Sequence, residues 1–202
     1  MYDANANFMK ILILCSVICL CQEPTPSRSR ITDVCPDTIE WTGKYTNQSY
    51  GFTIRIPDGL KGFWNSAKCV SGPDGCICMQ DHGRIIPLAG VADPDRYVEA
   101  YAGFAIVPTL AQLVATRLEL IRDQAHGGPV QIRSRSSLTL SGLKAQRVVV
   151  RYYDRKHRRW MVEDLIEAVR NDVEYSVVLH SKDGSYKQDR IVFERVVASF
   201  TR

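Results

Sequence analysis

The chain has 202 residues, room for one ordinary domain and a leader. Its 45% apolar and 24% charged shares exclude a chain disordered throughout. The net charge of +4 is local: residues 144–160 hold Lys144, Arg147, Arg151, Arg155, Lys156, Arg158 and Arg159 against Asp154 alone, so they carry +6 and the rest of the chain −2. That distribution excludes a generally nucleic-acid-binding surface.

Residues 11–20 (ILILCSVICL) are apolar or small, follow Lys10 and give way to the polar run Gln22-Glu23-Pro24-Thr25-Pro26-Ser27. A cation, a short apolar run and a polar stop are the layout of a secretory signal. The run is far short of the ~20 residues a bilayer span needs. Met9-Lys10 makes a more usual start than Met1. Two fates for residues 1–21 stay open. Cys19 and Cys21 fit the small positions for cleavage after Cys21, whereas a lipoprotein is acylated on Cys21, with Leu20 a poor residue before it. Either way the chain is exported, to the periplasm, the exterior or an envelope anchor.

Outside that segment stand Cys35, Cys69, Cys76 and Cys78, an even number that suggests two disulfides in an oxidising compartment. The rival is a zinc set of Cys69, Cys76, Cys78 and His82, but the spacing lacks the usual C-x2–4-C knuckle and exported thiols oxidise. The reading is therefore disulfides, with no metal and no cofactor. Asn47-Gln48-Ser49 fits a glycosylation sequon, of use only in a host that glycosylates.

Residues 22–33 are rich in Pro, Ser and Arg and read as a flexible tether. The organisation is thus a signal segment at 1–21, a tether at 22–44 and one α+β domain at 45–202. Tyr50-Gly51-Phe52-Thr53-Ile54-Arg55-Ile56-Pro57 alternates with period two, as a strand with one buried face does. Residues 63–83 carry the cysteines and two Gly-containing turns and read as an elaborated loop. Strands are predicted at 84–88 and 97–107, where Gly103 marks a bulge or a close approach. Thr109 and Gln112 make a capping box before the stripe Leu110, Leu113, Val114, Leu118 and Ile121, so a helix runs to His126-Gly127-Gly128-Pro129.

Residues 130–140, 145–153, 160–169 and 173–180 then have strand composition and are joined by Ser141-Gly142, the basic turn 154–159 and Asn171-Asp172, each fit for a hairpin. After Asp183-Gly184 the capping-box pair Ser185 and Gln188 opens a second helix with Val192, Phe193, Val196, Val197 and Phe200 inward. The predicted fold is an antiparallel sheet of about five to seven strands flanked by two amphipathic helices.

The strand Tyr50-Gly51-Phe52-Thr53-Ile54-Arg55-Ile56-Pro57, the mid-chain helix, the run of hairpins and the closing Val196-Val197-Ala198-Ser199-Phe200 resemble the PsbP-like family. That family includes the photosystem II extrinsic subunit, a Ran-binding import factor and many bacterial envelope proteins. The resemblance covers about residues 45–202. It implies a sheet sandwiched by helices, used for binding or scaffolding; the 69–78 loop departs from its pattern, and no catalytic residue transfers.

For chemistry, His82, His126, His157 and His180 lie in no H-E-x-x-H, and no Ser lies in G-x-S-x-G. His180 has Asp183 nearby, and Glu163, Asp164 and Glu167 read as partners for cations across the hairpin. The sharper feature is the aromatic-interleaved run Arg151, Arg155, Lys156, Arg158 and Arg159, suited to a polyanion. The expected function is an exported, non-enzymatic binding or scaffolding module contacting an anionic envelope component or acidic protein through this hairpin. Nucleic acid is excluded as partner, and membrane attachment is assigned to the signal segment or a lipid anchor. The alternative is a small secreted hydrolase with a dispersed site, for which Cys78, His82 and His180 are the first places to look.

Overall fold

The computed structural model describes residues 38–47, 50–65, 69–72, 75–78, 80–86 and 95–202, with side chains at 42–47, 50–62 and 95–202. In chain order its strands are β1 (Thr38–Trp41), β2 (Lys44–Asn47), β3 (Phe52–Arg55), β4 (Lys61–Asn65), β5 (Cys69–Gly72), β6 (Gly75–Cys78), β7 (Gln80–Ile86) and β8 (Tyr97–Phe104). They continue as β9 (Val130–Leu140), β10 (Leu143–Asp154), β11 (Arg159–Arg170) and β12 (Val173–Lys182). The helices are α1 (Leu110–Gln124) and α2 (Tyr186–Ser199). Contacts cluster the described residues as one unit.

Eight strands form one antiparallel sheet in the order β1-β4-β7-β8-β12-β11-β10-β9, and β2–β3 and β5–β6 are separate hairpins. The α+β fold read from the sequence is thus the one observed. The sheet is wider than five to seven strands because residues 63–83, expected as a loop, contribute to β4 and β7 of it as well as to the separate hairpin β5–β6. Glycines and cysteines hide the alternation there. β1 lies within the range read as a tether. The pairing irregularity falls between Val149 and Val150 of β10, not at Gly103.

From β9 to β12 the observed elements follow the expected ones closely, and the turns explain why. Ser141 (φ 46°) and Gly142 (φ 80°), like Asn171 (φ 51°) and Asp172 (φ 59°), take the paired positive φ values of two-residue hairpins. Asn, Asp and Gly tolerate that region best.

Alternation along the strands divides the core. Phe52, Ile54, Val98, Ala100, Ile166, Ala168, Val177 and Leu179 pack with Phe193 and Val196 of α2 and with Phe200 just after it. Val148, Val150, Leu165 and Val178 pack with Val114, Leu118 and Ile121 of α1. Val177 and Val178 are neighbours on β12 and point to opposite faces, so one helix covers each face of the sheet. β11 is consequently buried on both sides, with residues 161–168 all inaccessible. Acids embedded in such a strand must find partners.

The caps differ. Thr109 Oγ1 accepts from Gln112 N at 3.3 Å and donates to Gln112 Oε1 at 2.6 Å. Ser185 makes no side-chain cap bond; α2 is positioned by packing instead. Among the described residues no helix is long and apolar enough to cross a membrane.

Candidate functional site

Two places gather polar chemistry: the tip of the β10–β11 hairpin, and a layer between α1 and the sheet. At the tip, residues 155–158 form the turn and all are exposed, so Arg155, Lys156 and Arg158 face solvent. Arg151 and Arg159, the other two anion-binding candidates, are placed in ion pairs. Arg151 Nε donates to Asp183 Oδ2 at 3.0 Å and its guanidinium lies 3.6 Å from the Trp160 ring centre. Arg159 Nη2 donates to Asp95 Oδ1 at 2.6 Å, and its Nη1 pairs with Oδ2 of the same carboxylate. Arg133 also binds Asp183, at 2.7 Å, and this pair of arginines outweighs burial to hold the carboxyl below its ordinary range.

Asp154 closes the tip from below. It is 7% exposed. His157 Nδ1 lies 2.6 Å from its Oδ2, and His157 N donates to its Oδ1 at 3.1 Å. His126, just past the end of α1, places Nδ1 3.4 Å from the same Oδ1, and the two imidazole rings meet edge to face at 6.5 Å. Burial works to raise the Asp154 pKa, but the hydrogen bonds from His157 and the nearby imidazoles outweigh it and hold it below the usual carboxylate range. His126 and Gly127 both take positive φ (50° and 76°), which ends α1 and turns His126 toward the hairpin.

The second place arises because alternation on β8, β11 and β12 sets Glu99, Glu163, Glu167, Glu174 and His180 under α1. Glu163 is paired with His180 and Glu99 with Val178 in strand register. His180 Nδ1 sits 3.4 Å from Glu163 Oε1 and its Nε2 3.8 Å from Glu99 Oε2, with the Tyr97 ring stacked on it at 4.3 Å. Tyr152 OH donates to Glu163 Oε1 at 3.1 Å. Arg117 of α1 reaches in, 3.2 Å from both Glu167 and Glu174, and Ser176 Oγ donates to Glu167 Oε1 at 2.8 Å. A cavity of about 120 Å³ opens here, lined in part by Glu99, Arg117, Gln124, Glu163 and His180.

Burial depresses the His180 pKa, but Glu163 and then Glu99 outweigh it and push it up to about 9. Burial drives Glu167 up to about 7, against the opposing pull of Arg117 and Ser176. The direction of the His180 shift favours its imidazolium form, which donates a proton or a hydrogen bond.

These shifts make a prediction about stability. Both groups hold their protons more tightly in the folded chain than in the unfolded one. Their contribution is complete at low pH and is lost as pH rises, between about 4.5 and 7 for Glu167 and about 6.5 and 9 for His180. The His180 part is on the order of 3 kcal/mol, or roughly 6–12 °C for a domain of this size. The melting midpoint should fall between pH 6.5 and 9, and His180→Gln should flatten that limb. A midpoint constant across that range rejects the assignment.

The hairpin turn lies where the sequence placed it, but the acids pair differently. His180 is held by Glu99 and Glu163, while Asp183 serves two arginines. Asp164 does meet a cation across the hairpin, Arg147, but Glu163 and Glu167 turn to the other face. The signal available was the presence of three acids in one apolar strand. Cys21 and Cys35 lie outside the described residues. Cys69, Cys76, Cys78 and His82 lie on described strands, with Cys69 opposite Cys78 in register, but their side chains lie outside the description.

No family model matches the chain, and no curated protein does. Among solved structures it is similar to cyanobacterial PsbP from Synechocystis sp. PCC 6803, at 12% identity over 78% of this chain and 89% of that one, with a TM-score of 0.49. It is also similar to LpqN, involved in cell envelope biogenesis of Mycobacterium tuberculosis, at 9% identity over 82% and 91% with a TM-score of 0.43. A third is a Pseudomonas aeruginosa protein of unknown function described as a putative regulator, at 13% identity over 75% and 90%, TM-score 0.43.

Proposed function

We propose that this chain is an exported binding module that holds an anionic partner through the tip of its β10–β11 hairpin. The observation that carries the reading is the division of the basic run. Arg147, Arg151 and Arg159 are consumed by Asp164, Asp183 and Asp95, whereas Arg155, Lys156 and Arg158 stand together in an exposed turn. The first three cations have carboxylate partners within the fold. Three consecutive-turn cations left in solvent are placed to meet charge from outside.

The three cations together contribute on the order of 3 kcal/mol near a dense anionic surface. Arg155→Gln with Lys156→Gln and Arg158→Gln should therefore lower retention on heparin or on anionic vesicles by about a hundredfold, and should remove most of its salt dependence. Because all three side chains are exposed, the variant should melt at the wild-type temperature. Retention that survives this triple substitution would remove the tip from the account.

A further inference from the structure

Granting that the tip holds an anionic partner, we infer that the partner is an acidic protein segment in extended form, which adds to the sheet as a further strand along β9 and runs on to the tip. Among the described strands β9 pairs with β10 alone, so its outer edge is open. Residues 131–137 are exposed, since only Val130, Leu138 and Leu140 of β9 join the two cores. At Arg133 the register shifts, for Ser134 lies opposite Val149 and Ile132 opposite Val150. Arg133 is also tied back to Asp183 at 2.7 Å. Bulges and cations of this kind close sheet edges against chance pairing. The closure stops there. Residues 134–140 pair with β10 without a break and offer roughly 20 Å of edge, on which every second residue turns its N–H and C=O outward.

That ladder selects the backbone of the occupant. A lipid headgroup or a sugar polymer brings charge, but only a peptide repeats donors and acceptors at the spacing of a strand. Charge selects the side chains. β9 contains no Asp or Glu. Arg135 on it and Lys144 of β10, opposite Thr139, are exposed and have no ion-pair partner among the described residues. A second copy of this chain fits badly. Antiparallel pairing of β9 with itself would gather Arg133 and Arg135 of both copies with no acid between them, and like charges on paired strands repel. A strand carrying acids meets Arg135 and Lys144 instead. Every described pairing in the sheet is antiparallel, so the added strand runs against β9 and its C-terminal continuation heads for the tip. Val130, the start of β9, lies opposite Tyr152, just before the turn 155–158. About seven further residues carry the segment from the edge to Arg155, Lys156 and Arg158.

The probe is a synthetic peptide of about fourteen residues, alternating valine with glutamate in its N-terminal half and glutamate alone in its C-terminal half. Its control carries the same charges but is methylated at every backbone nitrogen of the N-terminal half, which removes the donors that would face β9. Fluorescence titration against the full chain at neutral pH should show the probe binding about tenfold or more tighter than its control, the worth of a pair of ladder hydrogen bonds. Amide hydrogen exchange within residues 134–140 should slow when the probe is bound, and Arg135→Glu should weaken binding about fivefold. Equal binding of probe and control, or no slowing on β9, overturns the added strand, and neither reading needs a substituted chain to fold. A probe with lysine in place of glutamate that binds as tightly as the acidic one overturns the assigned charge. Failure of the tip itself reads out separately: the triple cation variant would then bind the probe as the wild type does, while the effect of methylation persists.

Discussion

Gly128→Ala should destabilise this domain by about 3 kcal/mol or more. A Cβ at Gly128 would lie 1.9 Å from the carbonyl oxygen of Tyr153 and 2.9 Å from that of Ala125. Neither is the loose end of a side chain. Ala125 O already accepts from Gly128 N at 2.8 Å and from Arg155 N at 3.3 Å, and Tyr153 N donates to Pro129 O at 3.0 Å. The methyl group must therefore push the end of α1 away from the end of β10. Overpacking usually costs 1–3 kcal/mol, and a clash with backbone on both sides belongs at or above the top of that range. Gly142→Ala is the control: nothing lies within 4 Å of its Cβ, so only its φ of +80° is penalised, by about 1–2 kcal/mol. Urea denaturation of both variants checks the ranking, and a Gly128→Ala midpoint equal to that of Gly142→Ala would refute the close approach.

How far the sequence can be read follows from which forces are local. β9 to β12 and their two-residue turns were legible because period-two alternation and Gly, Asn and Asp act within a few residues. α1 was legible for the same reason, through Thr109 and its apolar stripe. Residues 63–83 were not, since Gly and Cys interrupt the alternation of strands that pair with distant partners. The candidate site shows the same division more sharply. The cations of the hairpin can be counted in the sequence, but their partners cannot. Arg159 finds Asp95 across 64 positions and Arg151 finds Asp183 across 32. The meeting of His126, Asp154 and His157 depends on α1 landing on the end of β10, a packing event with no local signature. Glu163 and Glu167 of β11 were assigned to hairpin cations because their observed partners, His180 of β12 and Arg117 of α1, come beside them only through packing.

Arg147→Ala should cost about 3–5 kcal/mol, although the residue lies in the run of cations that the sequence presents as surface charge. Asp164, in the middle of β11, is wholly inaccessible. Arg147 meets it with two parallel hydrogen bonds of 2.6 Å, while its Nη2 also donates to Glu194 of α2 at 2.8 Å. The guanidinium lies over the Phe193 ring at 5.3 Å, and Tyr186 OH donates to Asp164 Oδ2 at 2.8 Å. This arrangement raises the already high pKa of Arg147, chiefly through its bond to Asp164 and against burial. It also pushes the Tyr186 hydroxyl up to about 12, through burial first and the Asp164 charge second. Removing the arginine strands a carboxylate that keeps only the tyrosine hydroxyl, and the penalty is that of an uncompensated buried charge more than the loss of an attraction. The distinction can be measured. Arg147→Met with Asp164→Asn removes both charges and keeps an acceptor for Tyr186, so it should recover to within about 1 kcal/mol of wild type. If Arg147→Ala and the double variant unfold at the same urea concentration, the cost does not come from the stranded charge. A cost under about 1 kcal/mol for Arg147→Ala would instead mean that Asp164 reaches water, and that Arg147 belongs with the exposed cations of the tip after all.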